Sequence, residues 1–302
     1  MAGQVRILVT GGTGQVGTEL ASQKWPEHVE LVIPSRQELD LESVGSIRAY
    51  LAGRRFDAVI NPAAYTAVDK AEADCTTSFA VNALAPAALA DATRELDIPL
   101  VHVSTDYVFN GSKVGSYGED DPIDPINVYG ASKAAGEHAV RLGNPRHVIL
   151  RTAWVFSPHG NNFVKTMLRL AERPQLRVVD DQKGCPTSAS DIAHTLVTIT
   201  MRLIEDPEAP VGTFHFVNEG ETTWCGFARE IFLQERESGI SAPEVVAISG
   251  AEYPTPARRP SNSVLSTTRL VDRYGIMPRH WKMALQETLV SLRTQRSKGA
   301  VA

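Results

Sequence analysis

Cysteine is scarce in this sequence. The 302-residue chain has three, Cys75, Cys185 and Cys225, far apart and with no C-x-x-C pair. That spacing argues against a disulfide framework or a zinc knuckle and favours reduced, structural thiols. Long apolar runs are missing too, and none approaches the ~18–20 residues that a membrane span needs. Positive charge is not in excess: the net charge is −5, with acids and bases interspersed. Neither nucleic acid nor an anionic membrane surface has an electrostatic case as a partner. The start of the chain lacks a basic segment followed by an apolar stretch and a cleavage site, so a cytoplasmic protein is expected. None of the eight histidines belongs to a metal-spaced cluster. His102 reads as a satisfied core residue within a strand and His138 as a solvated residue on a helix. No Ser-His-Asp arrangement is identifiable. What remains is an ordinary hydrophobic fraction of 43%, enough for a substantial core.

Strand-like runs alternate with helical ones through the first half. Strands are expected at Val5–Val9, Val29–Ile33, Asp57–Asn61, Leu100–Ser104 and His147–Arg151. Helices are expected at Gly14–Gln23, Val44–Ala52, within Asp69–Leu96, and at Tyr129–Leu142. This rhythm predicts an α/β fold, a Rossmann-type doubly wound parallel sheet over 1–156. Residues 157–302 read as a smaller α/β substrate lobe. Its strand candidates are Arg177–Val179 and Thr213–Val217, and its helices Asn162–Glu172, Ser190–Ile204, Trp224–Glu237 and Pro278–Leu292. The helix over 190–204 is expected to pack back onto the first domain. The proline- and arginine-rich Tyr253–Pro260 reads as an ordered loop, and the end from Arg293 as frayed.

Three motifs carry chemistry. Thr10-Gly11-Gly12-Thr13-Gly14-Gln15-Val16-Gly17 follows a strand and opens a helix. Gly11 suits the tight turn, Gly14 lets backbone approach a pyrophosphate, and Gly17 allows close helix–sheet contact. The helix N-terminus adds free N–H groups and a positive dipole end. After the second strand, Ser35-Arg36 stands where NAD-selective sites place an acid. A hydroxyl and a guanidinium suit a ribose 2′-phosphate, which favours NADPH with NADH as the lesser cofactor. The third motif pairs Tyr129 with Lys133, four residues apart on one helix face. Bringing a phenol from ~10 towards neutrality takes ~4 kcal/mol. An ammonium at ~5 Å supplies ~3 kcal/mol at effective dielectric ~20, so Lys133 is expected to tune Tyr129. Thr105 or Ser104, at a strand end, is placed to hydrogen-bond a substrate carbonyl. The alternative for Ser104, Thr105 and Asp106 is turn capping.

These motifs resemble the extended short-chain dehydrogenases/reductases, and further runs resemble the dTDP-4-dehydrorhamnose reductase family within them. Those runs include Asn61 to Glu72, Ser104 to Phe109, Asn127 to Gly130, Arg151 to Val155, Gly160 to Phe163, Asp181 to Thr187 and Tyr253 to Ser263. The resemblance covers nearly the whole chain. It implies reduction of the C4 keto group of a dTDP-bound 4-keto-6-deoxysugar, the last step of dTDP-L-rhamnose synthesis for cell-surface polysaccharide. By the same resemblance, Tyr129 donates the proton, Lys133 holds the nicotinamide ribose and Thr105 orients the keto oxygen. Gly14, Gln15 and Val16 meet the pyrophosphate, and Asp40, Leu41, Ala63, Ala64 and Tyr65 line the cofactor. Asp106 and Trp154 lie on the substrate side. The nucleotide end is expected at the loop carrying Arg259 and Asn262, with Asn162, Phe163 and Lys165 nearby. Some family members are dimers bridged by Mg²⁺ on glutamates. Glu19 matches one such ligand, but Ser190 replaces a second, and no third is evident near Ser291. A hard cation wants several oxygen ligands. No tightly held Mg²⁺ is therefore expected, and the chain reads as a monomer or weak homodimer. The competing readings are a sister epimerase or dehydratase, and a non-catalytic regulatory subunit. The intact Tyr129, Lys133 and Thr105 argue against the regulator, and Tyr107 after Asp106 leaves no second carboxylate for a dehydratase.

Overall fold

The computed structural model describes residues 4–299. Six strands form the main sheet: β1 (Val5–Val9), β2 (Val29–Val32), β3 (Ala58–Asn61), β4 (Leu100–Thr105), β5 (His147–Thr152) and β6 (Gly212–His215). Their order is β6-β5-β4-β3-β1-β2, and every pairing is parallel. Alternation along each strand assigns its faces. Ile7, Val9, Ala58, Ile60, Val101, Val103, Val148 and Leu150 enter one core, with the helices Gln15–Ser22 and Ala189–Glu205. Leu8, Val59, Leu100 and Ile149 point the other way, into a core with Ile47, Leu51, Leu89 and Val140. Both faces are covered, which is why β4 and β5 are buried at every position. The chain reverses direction across the sheet between β1 and β3, and the carboxyl ends of those strands open a crevice there.

The expected boundary at 156/157 is interrupted. The segment Thr213–Val217, assigned from sequence to the second lobe, supplies β6 of the main sheet, in register with Val148–Arg151 of β5. The helix Ala189–Glu205 brings it there. Ile192, Leu196, Ile199 and Leu203 form one fully buried stripe on that helix against the sheet. Each such side chain contributes roughly 1.5–3 kcal/mol. Without β6, the β5 edge would leave its backbone groups unpaired.

A second core gathers Phe156, Met167, Leu176, Phe227, Ile231, Trp281, Leu285 and Leu289. The helices Phe163–Arg169, Trp224–Glu237 and Trp281–Gly299 surround it. It includes a parallel pair, Gln175–Val179 with Glu244–Ile248, whose second strand has no clear alternation. The last helix does not end at Leu292 but continues to Gly299. The expected helical stretch from Asp69 to Leu96 is four pieces, with a π-helical segment at Ala80–Leu84. His138 is exposed and His102 fully buried.

Candidate active site

One cleft of about 1160 Å³ runs along the carboxyl ends of the strands. Its wall at β1 is the glycine loop. Gly11 has φ +62, and a Cβ there would lie 2.8 Å from Ala63 Cα. Gly17 matters differently from expectation: its Cβ would meet the Gly11 carbonyl at 2.3 Å, so it lets the loop fold on itself rather than bringing helix to sheet. Gly14 precedes the helix Gln15–Ser22 without a side-chain cap, and no acid occupies the first turn. The helix therefore presents free N–H groups and its positive end to the cleft. The donors and the missing Cβ atoms fit a dinucleotide pyrophosphate.

Gln15 is anchored from across the cleft. Its Oε1 accepts from Ser157 Oγ at 2.9 Å and from Asn162 Nδ2 at 2.8 Å. Ser35, Arg36, Asp40, Leu41, Ala63, Ala64 and Tyr65 all line the same space. Arg36 pairs with Glu42, and Ser35 donates from both its N–H and hydroxyl to Glu38. Glu38 and Glu42, which also line the cleft, were not singled out from sequence. Asn82 was also missed. It accepts from Tyr65 N and donates to Tyr65 O, and its amide reaches the Ser132 hydroxyl. Its place in the π-helical segment turns it towards the loop after β3.

Tyr129 and Lys133 face the cleft from the helix Val128–Gly143. Asn127 caps this helix, accepting from Gly130 N at 2.7 Å, and its amide donates to Arg258 O at 2.7 Å. Gly130 allows the first turn to press on the Tyr107 carbonyl, where a Cβ would stand 2.2 Å away. Tyr107 meets Tyr129 edge-on with centroids 5.6 Å apart. Thr105 Oγ1 hydrogen-bonds Asp106 Oδ1 at 2.9 Å, accepts from Tyr107 N, and reaches the Tyr129 hydroxyl. Thr105 thus joins Tyr129 as expected, and it caps the following turn as well.

The electrostatics correct one expectation. Burial pushes the Tyr129 phenol up to about 12, while the Thr105 hydrogen bond works against it and the Asp106 charge adds to it. Lys133 does not pull Tyr129 down. Its ammonium is turned to Val103 O at 2.7 Å and to His102 Nε2 at 3.3 Å. Burial lowers Lys133 itself to about 8, and Glu137 opposes the shift. A phenol near 12 is fully protonated at neutral pH, the form a proton donor needs. Burial also raises Asp106, to about 6, while hydrogen bonding from the Thr105 hydroxyl opposes the shift.

On the far side the cleft ends in aromatic rings. Trp154, with φ +46, stacks on Trp224 with centroids 3.5 Å apart and planes 7° from parallel. Phe163 leans on Trp224 at 4.7 Å, and all three line the cleft. Trp224 opens a helix whose bounds the sequence indicates, but its alignment with Trp154 depends on how the second core docks. Other expected substrate residues lie outside the cleft lining, with their polar atoms engaged. Asn162 caps the helix Phe163–Arg169 and holds Gln15. Lys165 Nζ donates to Pro158 O. Asn262 clamps Lys113 O and Gly115 O. Arg259 forms two bonds to the Asp69 carboxylate, at 3.1 and 2.8 Å. Glu19 points to His159 at 3.4 Å and lies near Ser190; its carboxyl is raised by burial. Among the described residues, no group of three or more His, Cys, Asp or Glu could hold a metal ion, and no helix is long and apolar enough to cross a membrane.

A parallel sheet with this glycine loop, and a tyrosine, lysine and threonine meeting at the crevice, defines a dinucleotide-dependent oxidoreductase of the short-chain type. The chain belongs to the family described as RmlD substrate binding domain, which it matches over residues 5–294. It is 43% identical over 290 residues to the dTDP-4-dehydrorhamnose reductase of Sinorhizobium fredii, covering 95% of this chain and 98% of that protein. The crystal structure of a dTDP-4-dehydrorhamnose reductase from Clostridium acetobutylicum superposes with a TM-score of 0.89 at 37% identity, covering 96% of this chain and 100% of that one. A Bacillus anthracis dTDP-4-dehydrorhamnose reductase, solved in complex with NADP, gives 0.87 at 32% identity, covering 95% and 99%.

Proposed function

We propose that this protein reduces the C4 keto group of dTDP-4-dehydro-L-rhamnose with NADPH, giving dTDP-L-rhamnose in the cytoplasm. The observation that carries this reading is the meeting of Tyr129, Thr105 and Lys133 in the same cleft as the glycine loop. NADPH, when bound, supplies the hydride. Tyr129, protonated by virtue of its burial, donates to the developing alkoxide, and Thr105 holds the keto oxygen beside it. Lys133 contributes positive charge and a contact for the nicotinamide ribose. Trp154 and Trp224 offer an apolar wall to the deoxysugar. Arg259, although outside the cleft lining and ion-paired with the partly exposed Asp69, is the proposed diphosphate contact, because its guanidinium can exchange that carboxylate for phosphate oxygens. Asn162, Lys165 and Asn262 support the loops instead, because their polar atoms already have protein partners. Glu19 is engaged within the chain by His159 rather than free for a shared cation, which favours a monomer or weak homodimer.

Mixing the protein with dTDP-4-dehydro-L-rhamnose and each reduced cofactor tests the reading. Net oxidation of NADPH with formation of dTDP-L-rhamnose is expected. Conversion of the sugar without net cofactor oxidation would instead indicate an epimerase or dehydratase.

Cofactor choice has its own test. Arg36 lines the cleft and is largely exposed, so its surface ion pair with Glu42 is weak and a phosphate dianion can displace the carboxylate. Arg36→Ala should lower the NADPH/NADH ratio of kcat/KM on the order of ten-fold, the scale of about 1.4 kcal/mol. An unchanged ratio would remove Arg36 from the 2′-phosphate.

A further inference from the structure

Four buried polar side chains cross three adjacent strands behind the site. Lys133 Nζ stands 3.3 Å from His102 Nε2; His102 Nδ1 is 3.0 Å from Asn61 Nδ2; Asn61 Oδ1 is 2.6 Å from Thr10 Oγ1. All four are at most 1% exposed. The chain starts at the catalytic helix and ends at Thr10, where the glycine loop begins, and both Lys133 and Thr10 line the cleft.

Donor and acceptor rules restrict the protons in this chain. An ammonium has three N–H donors and no acceptor, and a neutral imidazole has one of each. If Asn61 turns its amide nitrogen to His102 Nδ1, the imidazole proton must sit on Nε2 and faces Lys133, which only an uncharged amine tolerates. If Asn61 turns its oxygen to Nδ1, that nitrogen carries the proton and Nε2 accepts from the ammonium. The two amide orientations differ by a half-turn of one side chain and occupy the same volume. Thr10 suits either, because a hydroxyl both donates and accepts. The imidazole itself stays neutral: burial and the neighbouring Lys133 charge push it well below its usual range. The arrangement with Nε2 accepting leaves Lys133 one N–H on Val103 O and one on His102. The third is then directed to the cleft.

We propose that His102 is a positioning residue for the reductive step: with Asn61 and Thr10 it accepts a hydrogen bond from Lys133, keeps that lysine charged, and aims its remaining N–H into the cleft. The charged groups around Lys133 are Glu137, one turn along its own helix, and Arg151 and Arg141, which bind Glu137; Tyr129 lies one turn back. With Lys133 already lowered to about 8, loss of one acceptor is enough to move its titration through the working pH range.

The inference rests on the reductase reading for its kinetic arm but not for its spectroscopic one. In protein labelled with ¹⁵N-histidine and free of cofactor, the His102 signal, assigned by its loss in His102→Gln, should report the Nδ1–H tautomer at neutral pH. The Nε2–H tautomer would overturn the proposal. The second arm measures kcat against pH for wild type, His102→Leu and His102→Gln, with thermal unfolding and NADPH affinity as controls. Removing the acceptor favours the uncharged amine, so in His102→Leu the alkaline limb should move about one unit to lower pH. His102→Gln, whose amide oxygen can replace Nε2, should keep the limb near the wild-type position. Coincident limbs in wild type and folded His102→Leu would also overturn it. If His102→Leu does not fold, the tautomer decides alone. Wild type without turnover would refute the reductase reading and leave the tautomer measurement standing.

Discussion

Tyr129→Phe should fold, bind NADPH as the wild type does, and lose turnover by ~10²–10⁴, the scale of general acid catalysis. The substitution removes one oxygen. The ring keeps its edge-on contact with Tyr107, and its helix keeps the Asn127 cap. Thr105 loses one neighbour but retains Asp106 and the Tyr107 N–H, so the strand end should hold its shape. What disappears is the phenol that hydrogen-bonds Thr105, at the point where the keto oxygen is proposed to sit. Steady-state kcat and a cofactor titration together make the test. A loss of only a few-fold would mean that another group, such as water held by Thr105, delivers the proton.

The second large effect is on stability. Arg151→Met should cost about 3–5 kcal/mol, because it leaves a buried carboxylate without its main partner. Arg151 is 1% exposed and Glu137 is fully buried. The guanidinium makes two bonds to that carboxylate, from Nε at 2.8 Å and from NH2 at 2.7 Å. Burial would raise the Glu137 carboxyl, but Arg151, with help from Arg141, outweighs it and holds the group below its ordinary value. In the wild type this pair therefore stabilises above the unfolded carboxyl pKa, and its contribution fades as pH falls through the lowered folded value. In Arg151→Met the sign reverses. Burial then dominates, the folded pKa lies above the unfolded one, and acidification should recover part of the lost stability. Urea unfolding at neutral and mildly acidic pH measures both effects. The double change Arg151→Met with Glu137→Leu should be markedly less harmful than Arg151→Met alone, since the uncompensated charge is gone. A single variant within 1 kcal/mol of wild type would show that solvent or Arg141 compensates Glu137 fully.

Much of this molecule is determined over short stretches of sequence. Alternating residues such as Ile7, Leu8 and Val9 assign the two faces of a strand, since successive side chains leave a strand on opposite sides. Helix periodicity puts Tyr129 and Lys133 on one face, and Asn127 caps their helix through a bond three residues long. Gly11 marks a turn that a Cβ would strain. Each of these follows from covalent geometry over a few residues. The tertiary structure decided the contacts between segments far apart in the chain. It placed Gly212–His215 beside β5 in the main sheet, and Trp224 against Trp154. It turned Arg259 to Asp69, and Asn162 to Gln15, 147 residues away. It also directed Lys133 to His102 and Val103 rather than to Tyr129, because a buried ammonium takes whatever acceptors the packed sheet presents, and a helix repeat carries no record of the strand beneath it.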